Sequence, residues 1–255
     1  MCGRFVSTSR PEEVAAYFDA SLAEQLVPAA GAAAGPDAGW ENYNVAPTSS
    51  VLVVVERADD RWVDRFRWGL VPFWAKDPSV GSRMINARAE TLAEKPAYRQ
   101  AFRKRRCIIP ADGFYEWQVV PGRKATGPGG KTKQPMYIHR RDGDRLAFAG
   151  LWELWTPKAT ADEPGAEPLR TCSVVTGPPN EVVAPIHDRM PVMLPPDAWD
   201  IWLDPAVDDT ELLRSLLVPA PASLLVADPV STAVNNVRNK GPELIEPVAL
   251  PDGAA

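Results

Sequence analysis

The chain has 255 residues, 45% of them hydrophobic and 24% charged, with a formal net charge of −5. This is an ordinary globular composition, long enough for one large domain or two small ones. It contains no run near the ~18 apolar residues of a membrane span, and its acidic balance gives no global pull towards nucleic acid.

The chain starts Met1-Cys2-Gly3-Arg4-Phe5, and Arg4, Arg10, Glu12 and Glu13 leave no room for a secretory apolar core. A cytoplasmic protein with reduced thiols is expected. Ser9-Arg10-Pro11-Glu12 reads as a capping box with proline in the first turn, opening a helix with Val14, Phe18, Leu22 and Leu26 on one face. Residues 28–39 are rich in alanine and glycine and read as a loop. Strands are expected at 51–56 and 62–68, and a short helix at 97–105. Further strands are expected at 107–111, 114–120, 135–140, 146–155 and 170–176. Loops are expected at 121–134 and 157–168, and helices at 196–203 and 209–217. There is no internal repeat and no break that would separate two domains. The expectation is a single α+β domain over 1–255, and a monomer.

Cys2 is the first residue with distinctive chemistry. Once Met1 is removed it carries an α-amine and a thiol on adjacent carbons, with reference pKa values near ~7.7–8.0 and ~8.5. A 1,2-aminothiol can attack an aldehyde twice and close a thiazolidine ring. It can equally serve as an N-terminal nucleophile in a hydrolase, or be an accident of the start codon. Cys2, Cys107 and Cys172 are the three cysteines, far apart and without a CxxC pair. Neither a zinc site nor a disulfide framework is suggested, and no metal or cofactor is expected.

Other motifs allow two explanations each. Trp74 and Trp117 are core residues or stacking platforms. Glu116, between Tyr115 and Trp117, is costly to bury as an unpaired anion; buried, it would be suited to acid–base work. His187 beside Asp188 is a surface pair or a site histidine, and His139 is read as structural. Arg88 could pair with Glu90. The run Arg99–Arg106 carries five positive charges and no acid, as a phosphate-binding face or a solvated helix face.

Taken together, MCGRF at 1–5, YNVAP at 43–47, WGLVPFW at 68–74, INARAET at 85–91, RCIIPADGFYEW at 106–117 and IHDRMPV at 186–192 resemble the SOS-response-associated peptidase (SRAP) family. These are the abasic-site processing proteins. The late segment VNNVRNKGPELIEPV at 234–248 fits as well, so the resemblance covers essentially the whole chain. Its departures lie in the loops at 28–39, 121–134 and 157–168. The implied fold is a single domain of mostly antiparallel, barrel-like β-sheets flanked by helices.

The resemblance implies a protein that binds single-stranded DNA and traps abasic sites. Cys2 would form a Schiff base with C1′ of the opened sugar and then a thiazolidine crosslink that shields the lesion. Glu116 would move protons near the Cys2 amine, His187 would assist ring opening, and Asn86 would fix the reacting geometry. Arg4 and Arg88 would hold flanking phosphates; Trp74 and Trp117 would stack on nucleotides, and Pro47 would wedge near the lesion. Arg189 would be a further backbone contact. The protein would be cytoplasmic, and nucleoid-associated when on DNA. Two other classes use the same residues: an N-terminal-nucleophile cysteine peptidase or amidase, and a single-strand-binding module indifferent to Cys2.

Overall fold

A computed structural model of the protein describes residues 2–27, 40–120, 133–157, 163, 165 and 167–249. The first elements are β1 (Phe5–Ser7), α1 (Pro11–Phe18), β2 (Ser21–Leu22), β3 (Asn42–Val45), β4 (Ser50–Arg57) and β5 (Asp60–Trp68). There follow β6 (Asn86–Arg88), α2 (Arg99–Lys104), β7 (Arg106–Ala111), β8 (Gly113–Val119), β9 (Lys133–Arg140) and β10 (Leu146–Trp155). The last are β11 (Leu169–Gly177), β12 (Met190–Pro191), α3 (Trp199–Leu203), α4 (Thr210–Ser215) and β13 (Leu225–Pro229). No helix among the described residues is long and apolar enough to cross a membrane.

Side-chain alternation builds the central feature. Along β4, Val51, Val53 and Val55 pack in one apolar cluster, while Leu52 and Val54 pack in another. The strands β5, β4, β7, β10 and β11 are paired in that order, and parallel pairing of Thr171 with Arg67 and Cys172 with Trp68 returns β11 to β5. A barrel of five strands is thereby closed, as expected from the family resemblance. Its interior holds Val53, Val55, Phe66, Trp68, Cys107, Ile109, Phe148, Cys172 and Val174. Its outer face, with Leu52, Val54, Val63, Ile108, Ala149, Leu151 and Val175, is covered by residues of α1, α2, α3 and α4.

The second sheet is antiparallel, in the order β13-β9-β8-β1-β3. The chain passes from the barrel into this sheet at Asp112, between β7 and β8. The Asp112 carboxylate fixes the switch by accepting from the Thr8 amide at 2.7 Å and the Thr8 hydroxyl at 2.8 Å. Phe5 of β1 then packs edge-on against Trp68, with ring centroids 5.0 Å apart, and against Phe148 at 6.2 Å. The start of the chain is therefore held against the barrel core.

The N-terminal helix is shorter than its apolar spacing suggests. Asp19 adopts a left-handed conformation (φ 50°) and its amide bonds to the Ala15 carbonyl, ending α1, so Leu22 lies in β2 and Leu26 in a 3₁₀ turn. The cap is also one residue later than read. Glu13 accepts from the Arg10 amide at 3.1 Å, while the Ser9 hydroxyl accepts from Arg145 Nε at 2.8 Å. The helix read at 196–203 begins as a 3₁₀ turn and becomes α-helical only at Trp199. Residues 28–39 lie outside the described residues. Of the loop read at 121–134, only Lys133 and Gln134 are described, and they are paired in β9 with Val119 and Gln118. Of 157–168, only 157, 163, 165, 167 and 168 are described.

Candidate active site

Four residues far apart in sequence meet where β1, β6, β8 and the turn before β12 converge. Cys2 is fully buried (0% exposed), and its thiol lies 3.7 Å from the Arg4 carbonyl. Asn86 opens β6, which pairs in parallel with β11 through Asn86 and Val174. Its Nδ2 donates to the Cys2 carbonyl at 2.7 Å, while its buried Oδ1 has no hydrogen-bond partner among the described residues. The Tyr98 hydroxyl donates to the Asn86 carbonyl at 3.2 Å and steadies that strand end.

Glu116 reaches the same place because β8 alternates. Phe114 packs with the barrel cluster, whereas Tyr115 and Trp117 pack on the opposite face with Val6, Tyr137, Val234 and Leu244. The flanking aromatics therefore do not enclose the Glu116 carboxylate. Glu116 is 2% exposed, and burial pushes its carboxyl up to about 7 against the pull of the chain's positive α-amine. Burial, reinforced by the charge of Glu116, also pushes the Cys2 thiol up, so at neutral pH the sulfur is protonated in this form of the chain.

His187 closes the group, with Nε2 4.0 Å from Glu116 Oε2. It ends a turn built by Asn180, whose side chain accepts from the Val183 amide at 3.1 Å and donates to the Ala220 carbonyl at 3.0 Å. The Arg189 amide donates to His187 Nδ1 at 3.0 Å, which places the imidazole proton on Nε2. Asp188 also lies 3.0 Å from Nδ1, but its side chain is 88% exposed and solvated, so the directed amide bond sets the tautomer. Burial, then the chain's α-amine, lowers the His187 pKa, and the ring is neutral at pH 7. A neutral imidazole and a half-titrated carboxyl beside a nucleophile form a proton-exchange pair.

The remaining expected residues lie around this centre. Arg4 NH1 donates to Asn44 Oδ1 at 2.7 Å and to the Val234 carbonyl at 2.8 Å, joining β1 to the C-terminal segment. Asn44 also binds the carbonyls of Val234, Asn236 and Asn239. Trp117 is half-buried and donates from Nε1 to Asn235 Oδ1 at 2.7 Å. Trp74 is 51% exposed, beside Phe73 at 57%. Their loop is held by Gly69, whose φ of 125° disfavours a side chain and where an added Cβ would lie 2.5 Å from the Gly81 carbonyl oxygen, and by Trp155 Nε1 donating to the Ala75 carbonyl. Pro47 is half-buried in a turn, and Arg88 is exposed. No hydrogen bond or ion pair among the described residues joins the side chains of Pro47, Trp74 or Arg88 to the Cys2 group.

Glu90 pairs with Arg189, at 2.5 and 2.9 Å, and not with its sequence neighbour Arg88. The basic run is divided in space: Arg106 is buried, Arg105 pairs with Glu153 at 2.7 Å, and Lys104 lies 3.4 Å from Asp208. His139 sits between the Asp228 carboxylate and its Tyr137 stacking partner, a structural setting. Tyr98 and Asn180 were not singled out by sequence; the Pro-Pro-Asn turn signal at 178–180 points to the second.

The profile of the SOS response associated peptidases (SRAP) matches residues 1–237. The chain belongs to the SRAP family. The abasic site processing protein YoqW of Bacillus subtilis is 42% identical over 246 residues, covering 96% of this chain and 99% of that protein. YedK of Escherichia coli, also called an abasic site processing protein, is 34% identical over 251 residues, covering 97% and 100%. A crystal structure of a protein from Bacteroides thetaiotaomicron matches with a TM-score of 0.77 at 25% identity, covering 97% of this chain and 100% of that one. The SRAP fold thus carries the four-residue corner on strand ends of two sheets.

Proposed function

We propose that this SRAP protein processes abasic sites in single-stranded DNA by covalent capture on Cys2 after Met1 is removed. The observation that carries this reading is the meeting of Cys2, Asn86, Glu116 and His187 at one buried corner. The Cys2 amine adds to the C1′ aldehyde of the opened sugar and water leaves, giving an imine. The thiol sulfur then adds to the imine carbon while its proton passes to the nitrogen, closing the thiazolidine. Glu116 relays protons in both steps, and neutral His187 polarises the sugar ring oxygen through an Nε2 hydrogen bond as the C1′ hydroxyl proton passes to that oxygen on ring opening. Asn86 holds the Cys2 carbonyl, and with it the reacting backbone. The product shields the lesion.

Arg4 and Arg88 hold flanking phosphates, Trp74 and Trp117 stack on nucleotides, and Pro47 borders the lesion. Arg189 contributes through its pairing with Glu90 at the edge of the DNA path. The protein acts as a monomer in the cytoplasm, associated with the nucleoid when on DNA. Removal of Met1 by the same corner would be its peptidase step.

Mature protein incubated with single-stranded DNA carrying one abasic site, then run on a denaturing gel, gives a heat-stable adduct. Cys2→Ala gives none, and Cys2→Ser gives at most a labile imine. Absence of a wild-type adduct, or an equally stable one from either variant, sinks the thiazolidine reading. Turnover of a peptide or amide substrate without an adduct would make the protein an N-terminal-nucleophile hydrolase instead.

A further inference from the structure

We propose that Glu90 is a positioning residue that, acting through Arg189, fixes the tautomer and placement of His187. The inference rests on the proposed function only for its kinetic consequence; the tautomer itself can be read without DNA.

Glu90 lies in the 3₁₀ turn Ala89–Thr91 that directly follows β6. Its carboxylate takes both terminal nitrogens of the Arg189 guanidinium, at 2.5 and 2.9 Å. Such a fork is directional as well as charged. Arg189 NH2 also donates to the Thr176 carbonyl on β11 at 2.5 Å. The guanidinium therefore ties the turn after β6 to β11, and both to the segment entering β12. The Arg189 side chain is 16% exposed and that of Glu90 50%, so the fork is shielded from one side only. Its strength shows in Glu90, whose carboxyl the Arg189 hydrogen bonds hold below the usual carboxylate range.

The consequence lies in the Arg189 backbone. With the side chain anchored, its amide is aimed at His187 Nδ1, 3.0 Å away. Nδ1 becomes the acceptor and the ring proton sits on Nε2, the nitrogen 4.0 Å from Glu116. Pairing of β12 with β11 and the turn held by Asn180 fix the two ends of this segment, and the Glu90 fork is the side-chain tie that sets the Arg189 amide between them; without it, the exposed Asp188 beside Nδ1 would favour the opposite tautomer. The charged and titratable groups acting on the ring are Glu116 from β8, Lys133 from β9, Asp188, and the chain's α-amine. Arg88, the partner that sequence adjacency offers to Glu90, makes no ion pair among the described residues.

Nitrogen-15 spectra of the imidazoles test this in the full chain, which has only two histidines. His139, bonded to Asp228, is the internal standard. Wild type should show His187 as one tautomer with Nε2 protonated. Glu90→Ala should give a mixture of tautomers with unchanged His139 signals, recorded well below its melting temperature, which loss of the ion pair lowers. Glu90→Gln, which keeps one acceptor oxygen, should lie between them. On abasic single-stranded DNA, Glu90→Ala should slow adduct formation roughly 10- to 100-fold, the scale of a displaced catalytic group. The limb of its pH profile that reports His187 should shift, and Glu90→Gln should restore most of the rate. A single unchanged tautomer in Glu90→Ala, or slowing with an unshifted pH profile, overturns the proposal. If wild type forms no adduct at all, the capture chemistry fails, and the tautomer measurement still decides the role of Glu90.

Discussion

Arg106 and Glu116 are both 2% exposed, yet their surroundings treat the two charges differently. Arg106 donates to five backbone carbonyls, those of Phe102, Arg103, Trp202, Asp204 and Val207. Four of these lie at the ends of α2 and α3, where carbonyls lack partners within the helix and favour a cation, and that of Val207 lies in the turn after α3. Burial lowers the Arg106 pKa only to about 10, so the cation persists at neutral pH. Glu116 instead lies beside groups that can exchange a proton: burial holds its proton near neutrality against the pull of the chain's α-amine, and His187 Nε2 is 4.0 Å away. A charge whose hydrogen-bonding capacity is saturated serves the fold, and a charge left able to change serves chemistry.

Substitution should separate the two roles, and this is the largest effect expected. Glu116→Gln should slow adduct formation by about 10²–10⁴-fold, the usual scale of general acid–base catalysis, with no loss of stability at pH 7. Arg106→Met should cost about 3–5 kcal/mol in urea unfolding, because it orphans buried acceptors. Its folded fraction should react at the wild-type rate. The contrast breaks if Glu116→Gln unfolds the protein, or if Arg106→Met silences a chain that remains folded.

A second test uses pH. The Glu116 carboxyl is raised from 4.5 to about 7, so the native state binds the proton more tightly than the unfolded chain does. Its contribution is fully favourable below about 4.5, is lost as pH rises from there to about 7, and is constant above. The size is of order 3 kcal/mol, from 1.36 kcal/mol per pKa unit. Urea melts of the precursor between pH 4 and 8 should show this fall relative to Glu116→Gln. Parallel stability curves for the two proteins would mean that the carboxylate is not destabilised by burial. Arg106→Met should leave the slope unchanged across this range, since the guanidinium stays charged throughout.

The same distinction marks how far the sequence could be read. The barrel strands were legible because near-continuous apolar runs, such as VLVVV in β4 and LAFAGLW in β10, are a physical signature of a sheet with two buried faces. β1, β3, β6 and β13 are three to five residues long and carry no visible period, although two of them lead the chain to the site. The overlong first helix reflects an alanine-rich spacing that hides the left-handed Asp19. At the site, the motifs supplied the residues but not their meeting: Asn86 and Cys2 are 84 positions apart. Adjacency was misleading for Glu90, whose partner is Arg189. The basic run 99–106 dissolves into separate roles because consecutive residues on a helix end and the following strand point in different directions.

The smallest expected effect concerns the two arginines assigned to phosphates, and it extends the contrast between saturated and available charge to the surface. Arg4 is anchored by Asn44 and the Val234 carbonyl through one terminal nitrogen, whereas Arg88 is exposed and makes no ion pair among the described residues. A contact to one phosphate releases about one counterion, so losing it lowers the magnitude of the slope of log affinity against log salt by about 0.7 on single-stranded DNA. Arg88→Ala should do this and leave the melting temperature unchanged, because nothing in the fold leans on its guanidinium. Arg4→Ala should lower the slope by the same amount and also destabilise the fold by about 1–3 kcal/mol, because it strips Asn44 Oδ1 and the Val234 carbonyl of a donor. Binding titrations from 50 to 200 mM salt, paired with urea melts, measure both quantities. An unchanged slope for Arg88→Ala removes it from the DNA path; an unchanged melt for Arg4→Ala shows that its anchoring is incidental, and Arg4 then joins Arg88 as a charge kept for a ligand.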